Sequence, residues 1–493
     1  MPRNWEEELS EMPTGAGGFS MRTIRKVKER IAMQEKKKYR YRQAAAAIVC
    51  TVLLGAGYLL RDDLADWMRK APAAKPVISD DEEVRLSVQY YDTGSLLQRY
   101  STFIIRHPSV RLEAVSPPQG EAYTAEGYVS WAKKSSADIF QVPLAYVDDM
   151  SREGLIKPLD AWIKRDSYDI ESLYKPVVQA IREAGAGQLY GLAPSFETYA
   201  LYYNKTLFNA ANIPLPKDGM TWEEVWNLAA QFGESPKGND IAGLSFGRYS
   251  PAASLSLLGQ SMGLRLTSAD GKLPTIDTPG WRKALEPLAR GWREGWISKQ
   301  QPKKREGDIL MKDLYMEDPF LTGKSAMSFA SSIYMNDIRS AEKLIPFQDK
   351  WGAVTQPTAT GNPNDSRLFG VSYIYAINSS SKDADAAWEL LKAMVSKNQA
   401  LRDKRNNYSS LSAIPLTDNS EPEDVFFRMS SNPSVILSNA ELESSEPYRL
   451  TSGFIENGMA DAISLVLSGA KPVEKALADL QNAALAGSKA VSP

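Results

Sequence analysis

Apolar and polar positions alternate along residues 84–91 and 110–115, and between them, from 96 to 105, apolar residues recur at helical spacing. The rhythm returns at 137–142 and in a helical stretch before Gly154. Strand, helix and strand in that order predict βαβ units, a parallel sheet covered by helices. Further along, 188–226 read as an apolar β-run, a break, a second apolar β-run and then a helix behind a proline-rich turn. Thr221 with Glu224 three positions on forms a capping box, with Met220 and Val225 at the staple positions. Trp222, Trp226, Trp281 and Trp292 fall on helix faces and read as core or surface packing, not as ligand contacts.

One segment breaks the pattern. Residues 44–60, AAAAIVCTVLLGAGYLL, run for 17 positions without a charge, at the short end of what spans a bilayer as a helix. Lys36, Lys37, Lys38, Arg40 and Arg42 precede the run; Arg61, Asp62 and Asp63 follow it. The positive-inside rule then puts the N-terminus in the cytoplasm and everything after Leu60 outside. A buried core helix would have the same hydropathy, but such helices seldom carry a basic cluster on one flank. No small-x-small cleavage site follows promptly, since Ala71-Pro72-Ala73 lies well past the run. Cys50 sits mid-run behind Val49, which does not fit a lipoprotein box. The reading is an uncleaved anchor at 43–60, a basic cytoplasmic tail at 1–42 and a semi-rigid linker at 61–82. Ile24, Val27 and Ile31 give the tail one stretch of helical spacing; it could lie on lipid, dock on a partner or simply set topology.

Tyr190-Gly191-Leu192-Ala193-Pro194, Tyr202-Tyr203-Asn204-Lys205-Thr206-Leu207-Phe208 and Thr221-Trp222-Glu223-Glu224 follow one another as strand, strand and capped helix. In this order they resemble bacterial extracellular solute-binding proteins, specifically the sugar-binding, maltose-binding-protein-like class that feeds ABC importers. Further echoes come in sequence: Gly154-Leu155-Ile156-Lys157-Pro158-Leu159-Asp160, then Phe320 through Met327, then 368–377 with the helix at 383–393. None is specific singly. The resemblance spans roughly residues 83–490 and implies an α/β fold of the two-lobe, periplasmic-binding-protein-like type (class II), preceded here by one transmembrane helix.

That resemblance implies three crossings between lobes, near 194–197, 369–373 and 412–418, with one lobe at 83–194 plus 374–415 and the other at 195–373 plus 416–493. It implies a ligand site at strand ends where the lobes meet. A sugar needs aromatic faces and a rim of carboxylates, amides or arginines. Matching positions to the family gives Tyr90, Tyr91 and Asp92 after the first strand, Gln141 at another strand end, and Glu197 at the first crossing. Tyr249, Gln260, Tyr334 and Tyr373 complete the set, although Ser261-Met262-Gly263 stands where many relatives have a Gly-Gly pair. The implied function is capture of a small solute, most simply a carbohydrate, by lobe closure, and its delivery to ABC permease subunits. A ligand-sensing module reporting to a membrane signalling partner is the alternative, favoured by the anchor and basic tail.

Composition narrows the chemistry further. Basic and acidic side chains balance at 58 and 60, so nothing points to nucleic acid. One cysteine and one histidine, Cys50 and His107, leave no internal disulfide, no cysteine zinc cluster and little room for a histidine-based metal site or triad. Gly323-Lys324-Ser325 resembles the end of a phosphate loop, but Asp318 stands where that loop needs glycine. Gly185, Gly187 and Gly191 have the wrong spacing for a dinucleotide fingerprint. No cofactor or metal is expected. A glycosidase pair assembled from distant carboxylates stays open on sequence alone.

Overall fold

The computed structural model describes residue 78 and residues 82–117, 124–233, 241–299, 310–347, 350–406, 411–416 and 422–491. The expected tail, the anchor at 44–60 and nearly all of the linker lie outside these residues. Among the described residues no helix is long and apolar enough to cross a membrane. Two compact units divide the chain: one holds residues up to Pro117 with Ser136–Ile139 and Ser381–Arg402, the other Pro118–Ser135, Phe140–Ser380 and Asp403–Pro493.

In the first unit the alternating residues form the strands they predict. β1 (Val84–Gln89) pairs in parallel with β2 (Val110–Val115), from Val84↔Val110 to Gln89↔Val115. β3 (Ile139–Pro143) starts beside it at Val88↔Ile139. Leu86, Val88, Val110, Leu112 and Ile139 are buried, as a helix-covered parallel pair requires. The Asp138 carboxylate accepts from the Ser87 amide and hydroxyl, both at 2.8 Å, and from the Ser381 hydroxyl at 2.7 Å. Arg402 donates to Thr102 Oγ1 at 2.6 Å and Ser101 Oγ at 2.9 Å, closing the unit around its late segment.

The second unit is built on a mixed sheet. The short strand β4 (Ser195–Phe196) leads to β5 (Tyr199–Asn204), which lies between β7 (Ser325–Ser331) and β8 (Trp351–Thr355), antiparallel to both, while β6 (Ala242–Ser245) runs parallel along β7's outer side. One face packs against the helices Trp222–Gly233, Pro251–Ser261, Pro279–Glu294 and Glu446–Leu467. The four tryptophans read as helix-face residues are all buried there; Trp281 donates to the Arg265 carbonyl at 3.1 Å and Trp222 to Ser261 Oγ at 2.9 Å. The capping box forms: Thr221 N–H donates to Glu224 at 2.7 Å and Glu224 N–H to Thr221 Oγ1 at 3.2 Å.

Of the three segments expected to link the lobes, residues 194–197, 370 and 412–413 lie side by side within this unit. β9 (Tyr373–Ile377) follows one of them, and β10 (Leu411–Ser412) pairs antiparallel with β4 through Leu411↔Phe196 and Ser412↔Ser195. Ala413 N–H donates to the Pro194 carbonyl at 3.0 Å, and Glu197 and Gly370 exchange both backbone bonds at 2.9 Å. Phe196 stacks on Phe369 with ring centres 5.1 Å apart, and Tyr174 and Phe427 close around them. A tyrosine from a helix start and three phenylalanines thus seal one end of the three-stranded join.

Gly243 shows how closely sheet and helix meet. A Cβ there would collide with the carbonyl and Cα of Ala229 on the Trp222–Gly233 helix, and backbone cannot rotate aside as a side chain can. Gly243→Ala should therefore lower the urea midpoint of the full chain by overpacking worth about 1–3 kcal/mol. Equilibrium unfolding followed by far-UV circular dichroism checks this, and an unchanged midpoint would contradict the packing described.

Candidate functional site

A cavity of about 480 Å³ opens in the second unit, within the range of small-ligand sites. Its wall comes from segments far apart in sequence: 143–145 after β3, Glu197 and Tyr199 around the start of β5, and Gln260 with 263–266. Residues 367–372, the helix Pro433–Ser444 and Tyr448 complete it. Its chemistry is mixed: Glu197, Glu443, Arg265, Arg367, Gln260 and Asn439 stand beside the rings of Tyr199 and Tyr448. Flat rings among carboxylates, amides and guanidinium groups can cover an apolar face and bond a hydroxylated rim.

Local structure explains each position. Glu197 is held at both its N–H and its C=O by Gly370, so its backbone cannot swing. Its carboxyl has no hydrogen-bond or ion-pair partner among the described residues, and burial raises its pKa above the ordinary 4.5. Gly263 ends the Pro251–Ser261 helix with φ +77°, in the left-handed region, and Leu264 N–H reaches back to the Gly259 carbonyl at 2.8 Å. That cap turns the chain outward along the cavity. The Arg265 carbonyl is then fixed by Trp281 Nε1 and by Thr275 Oγ1 at 2.6 Å, while its guanidinium donates to Ser438 Oγ at 3.1 Å. Arg367 pairs with Asp365 at 2.9 Å.

The C-terminal helices supply the remaining wall. Ser445 caps the Glu446–Leu467 helix and places Tyr448 in its first turn. The Asp270-Gly271 turn presses against that point: a Cβ on Gly271 (φ +76°) would stand 2.6 Å from Tyr448 N. Burial pushes the Tyr448 hydroxyl up to about 12, with Glu443 and Glu456 adding to the rise. Glu443 is exposed by surface area, yet protein atoms crowd its carboxyl and raise its pKa; for its charge the crowding matters more than the open edge. The Tyr199 hydroxyl is raised further, by burial first and then by Tyr249, Glu197 and Glu443. Both carboxylates therefore act on one phenol.

Of the residues expected from sequence, Glu197 and Gln260 line this cavity, and Tyr249, 43% exposed, reaches it through Tyr199. Tyr373 opens β9 directly after cavity-lining Ser372 and stands edge-on to Tyr375. Gln141 lies within β3, where its carbonyl accepts from the Tyr128 hydroxyl at 3.0 Å. Tyr334 is buried away from the cavity, donating to Asp318 Oδ1 at 2.7 Å. Tyr90, Tyr91 and Asp92 belong to the first unit. There Tyr90 is buried, Tyr91 is 77% exposed, and Asp92 spends both carboxylate oxygens on Ser95 as a helix cap. Tyr199, Arg265, Arg367, Glu443 and Tyr448 were not expected. Arg367 stands two residues before an expected crossing, which was a usable signal; nothing in the sequence marks the helix face that carries Glu443.

Because burial holds Glu197 above the ordinary carboxyl value, the folded chain keeps this proton more tightly than the unfolded one. Its contribution to stability is fully present below pH 4.5 and is lost as the pH rises through the raised value. The ligand-free protein should therefore lose less stability on raising the pH above 4.5 when it carries Glu197→Gln. Thermal unfolding midpoints across that range measure the difference; parallel curves for the two proteins would contradict the desolvation of Glu197.

Residues 106–400 match the family described as bacterial extracellular solute-binding protein. A binding protein of Brucella abortus is 22% identical over 325 residues, 65% of this chain and 73% of its own length. Among solved structures, an extracellular solute-binding protein family 1 from Alicyclobacillus acidocaldarius has a TM-score of 0.57 at 16% identity, covering 82% of this chain and 98% of its own. The sugar-binding protein MalE of Xanthomonas citri has a TM-score of 0.54 at 17% identity, covering 83% and 98%. These likenesses show the two-lobe α/β fold of periplasmic binding proteins.

Proposed function

The chain belongs to the family of bacterial extracellular solute-binding proteins, and we propose that it captures a carbohydrate in the cavity at Glu197 and passes it to an ABC importer. The family works outside the cytoplasm and binds solutes without transforming them, so the protein is not an enzyme. The observation that carries the carbohydrate reading is the wall itself: Tyr199 and Tyr448 beside Glu197, Gln260, Arg265, Arg367 and Asn439. Tyrosine rings suit the flat faces of a pyranose, and the polar groups can both donate to and accept from its hydroxyls.

In this reading the join of 194–197, 369–373 and 411–413 is the hinge. Glu197 and Gly370 both belong to that join and to the cavity wall, so occupancy and lobe angle are coupled through one backbone pair. The solute would reach permease subunits outside the membrane, with the anchor at 44–60 keeping the binding domain nearby. A sensing role has one sequence feature in its favour, the basic segment before an uncleaved anchor. Affinity capture of the full chain from membranes separates the two: permease subunits support transport, and a histidine kinase would overturn it.

A thermal-shift screen of the full chain against mono- and oligosaccharides, polyols and peptides tests the binding itself. A sugar at about a hundred times its dissociation constant should add about 2.7 kcal/mol of stability. Arg265→Ala should weaken the best ligand by roughly tenfold or more, the scale of losing a hydrogen bond that involves a charged group, and Gln260→Ala by several-fold, the scale of losing a neutral one. A peptide as the sole ligand, or sugar binding indifferent to both substitutions, would overturn this assignment.

A further inference from the structure

The cavity holds two carboxylates that no described residue answers. Glu197 and Glu443 both line it, and among the described residues neither has a hydrogen bond to its carboxyl or a lysine or arginine within ion-pair distance. Burial raises the pKa of both groups. Tyr199 stands where both act on it, and Tyr448, which Glu443 also acts on, presents a second ring to the same space. The two arginines of the wall are engaged differently. Arg367 is answered by Asp365 at 2.9 Å and packs beside Gly263, while Arg265 donates to Ser438 at 3.1 Å.

The unanswered charge of the wall is therefore negative at the Tyr199 end. Carboxylates crowded by protein atoms are costly when ionised unless a cation or several donors meet them. Neutral hydroxyls could be recognised by amides or serines at less cost. Aromatic faces beside two carboxylates form instead the surroundings that favour an ammonium group, through a charge-assisted hydrogen bond and attraction to the ring faces.

We propose that the solute carries a protonated amino group, an amino sugar or an oligosaccharide containing one, with its ammonium at Glu197 and Glu443 beside Tyr199. This rests on the reading of the cavity as a carbohydrate site. The arginines then serve the hydroxylated remainder of the ligand, and the net charge of the complex at that end falls toward zero.

Isothermal titration of the full chain with three matched oligosaccharides tests this: glucosamine oligomers, their N-acetylated forms and neutral glucose oligomers of equal length. The amino form should bind about tenfold tighter than the N-acetylated form, the scale expected when a charged hydrogen bond replaces a neutral one. Glu443→Gln, at an exposed position where folding is little threatened, should abolish most of that preference; Glu197→Gln should do the same if it folds. Added salt should erode the preference without abolishing binding of the neutral sugar. Equal or weaker binding of the amino form would overturn this inference and leave the carbohydrate reading intact. Failure of all three sugars, and of the wider carbohydrate panel, would overturn the reading on which it rests.

Discussion

The pair of backbone hydrogen bonds between Glu197 and Gly370 is the constraint on which the rest of the site depends. Two segments far apart in sequence meet there, and β4 next door binds a third through Leu411 and Ser412. Backbone pairing of this kind is insensitive to side-chain identity. The Phe196–Phe369 stack, with Tyr174 and Phe427 around it, covers one end of the join and supplies the apolar burial that short strands cannot supply alone.

Function follows from what that join presents. Glu197 emerges beside the aromatic cluster with its backbone fixed at both ends and its carboxyl unpaired among the described residues. The opposite wall is positioned from the helical core: Trp281 orders Arg265 through its carbonyl, and the left-handed Gly263 steers the chain away from its helix and along the cavity. Rigid elements therefore support both walls, while the polar groups that would meet a ligand are kept free or only lightly engaged. This is the economy expected of a protein that binds without reacting: donors, acceptors and rings are set in place.

The same packing gives reasons for residues whose roles differ from those a motif would suggest. Asp92 follows the first strand, as a ligand contact would, yet both its oxygens cap the next helix, and its pKa lies below the usual value because Ser95 donates to it twice. Tyr334 follows the apolar strand β7, yet its hydroxyl is consumed by Asp318, which also accepts the amides of Phe320 and Leu321. Polar side chains next to strand ends have two competing uses, terminating the element or meeting a ligand. Spacing in sequence does not distinguish between them.

Sequence by itself determined the alternation that makes β1 and β2, the capping box at Thr221 and Glu224, and the buried helix-face tryptophans. Those features are local: period, caps and breaks are written in neighbouring residues, and burial follows from which face is apolar. Glu197 and Gln260, which line the cavity, were legible through the family resemblance. Glu443 and Tyr448 were not, because only the tertiary structure decides which face of a C-terminal helix turns toward a loop from the middle of the chain. Charge balance in the cavity is likewise a property of distances between residues some 250 positions apart in number, such as Glu197 and Glu443, and no periodicity records it.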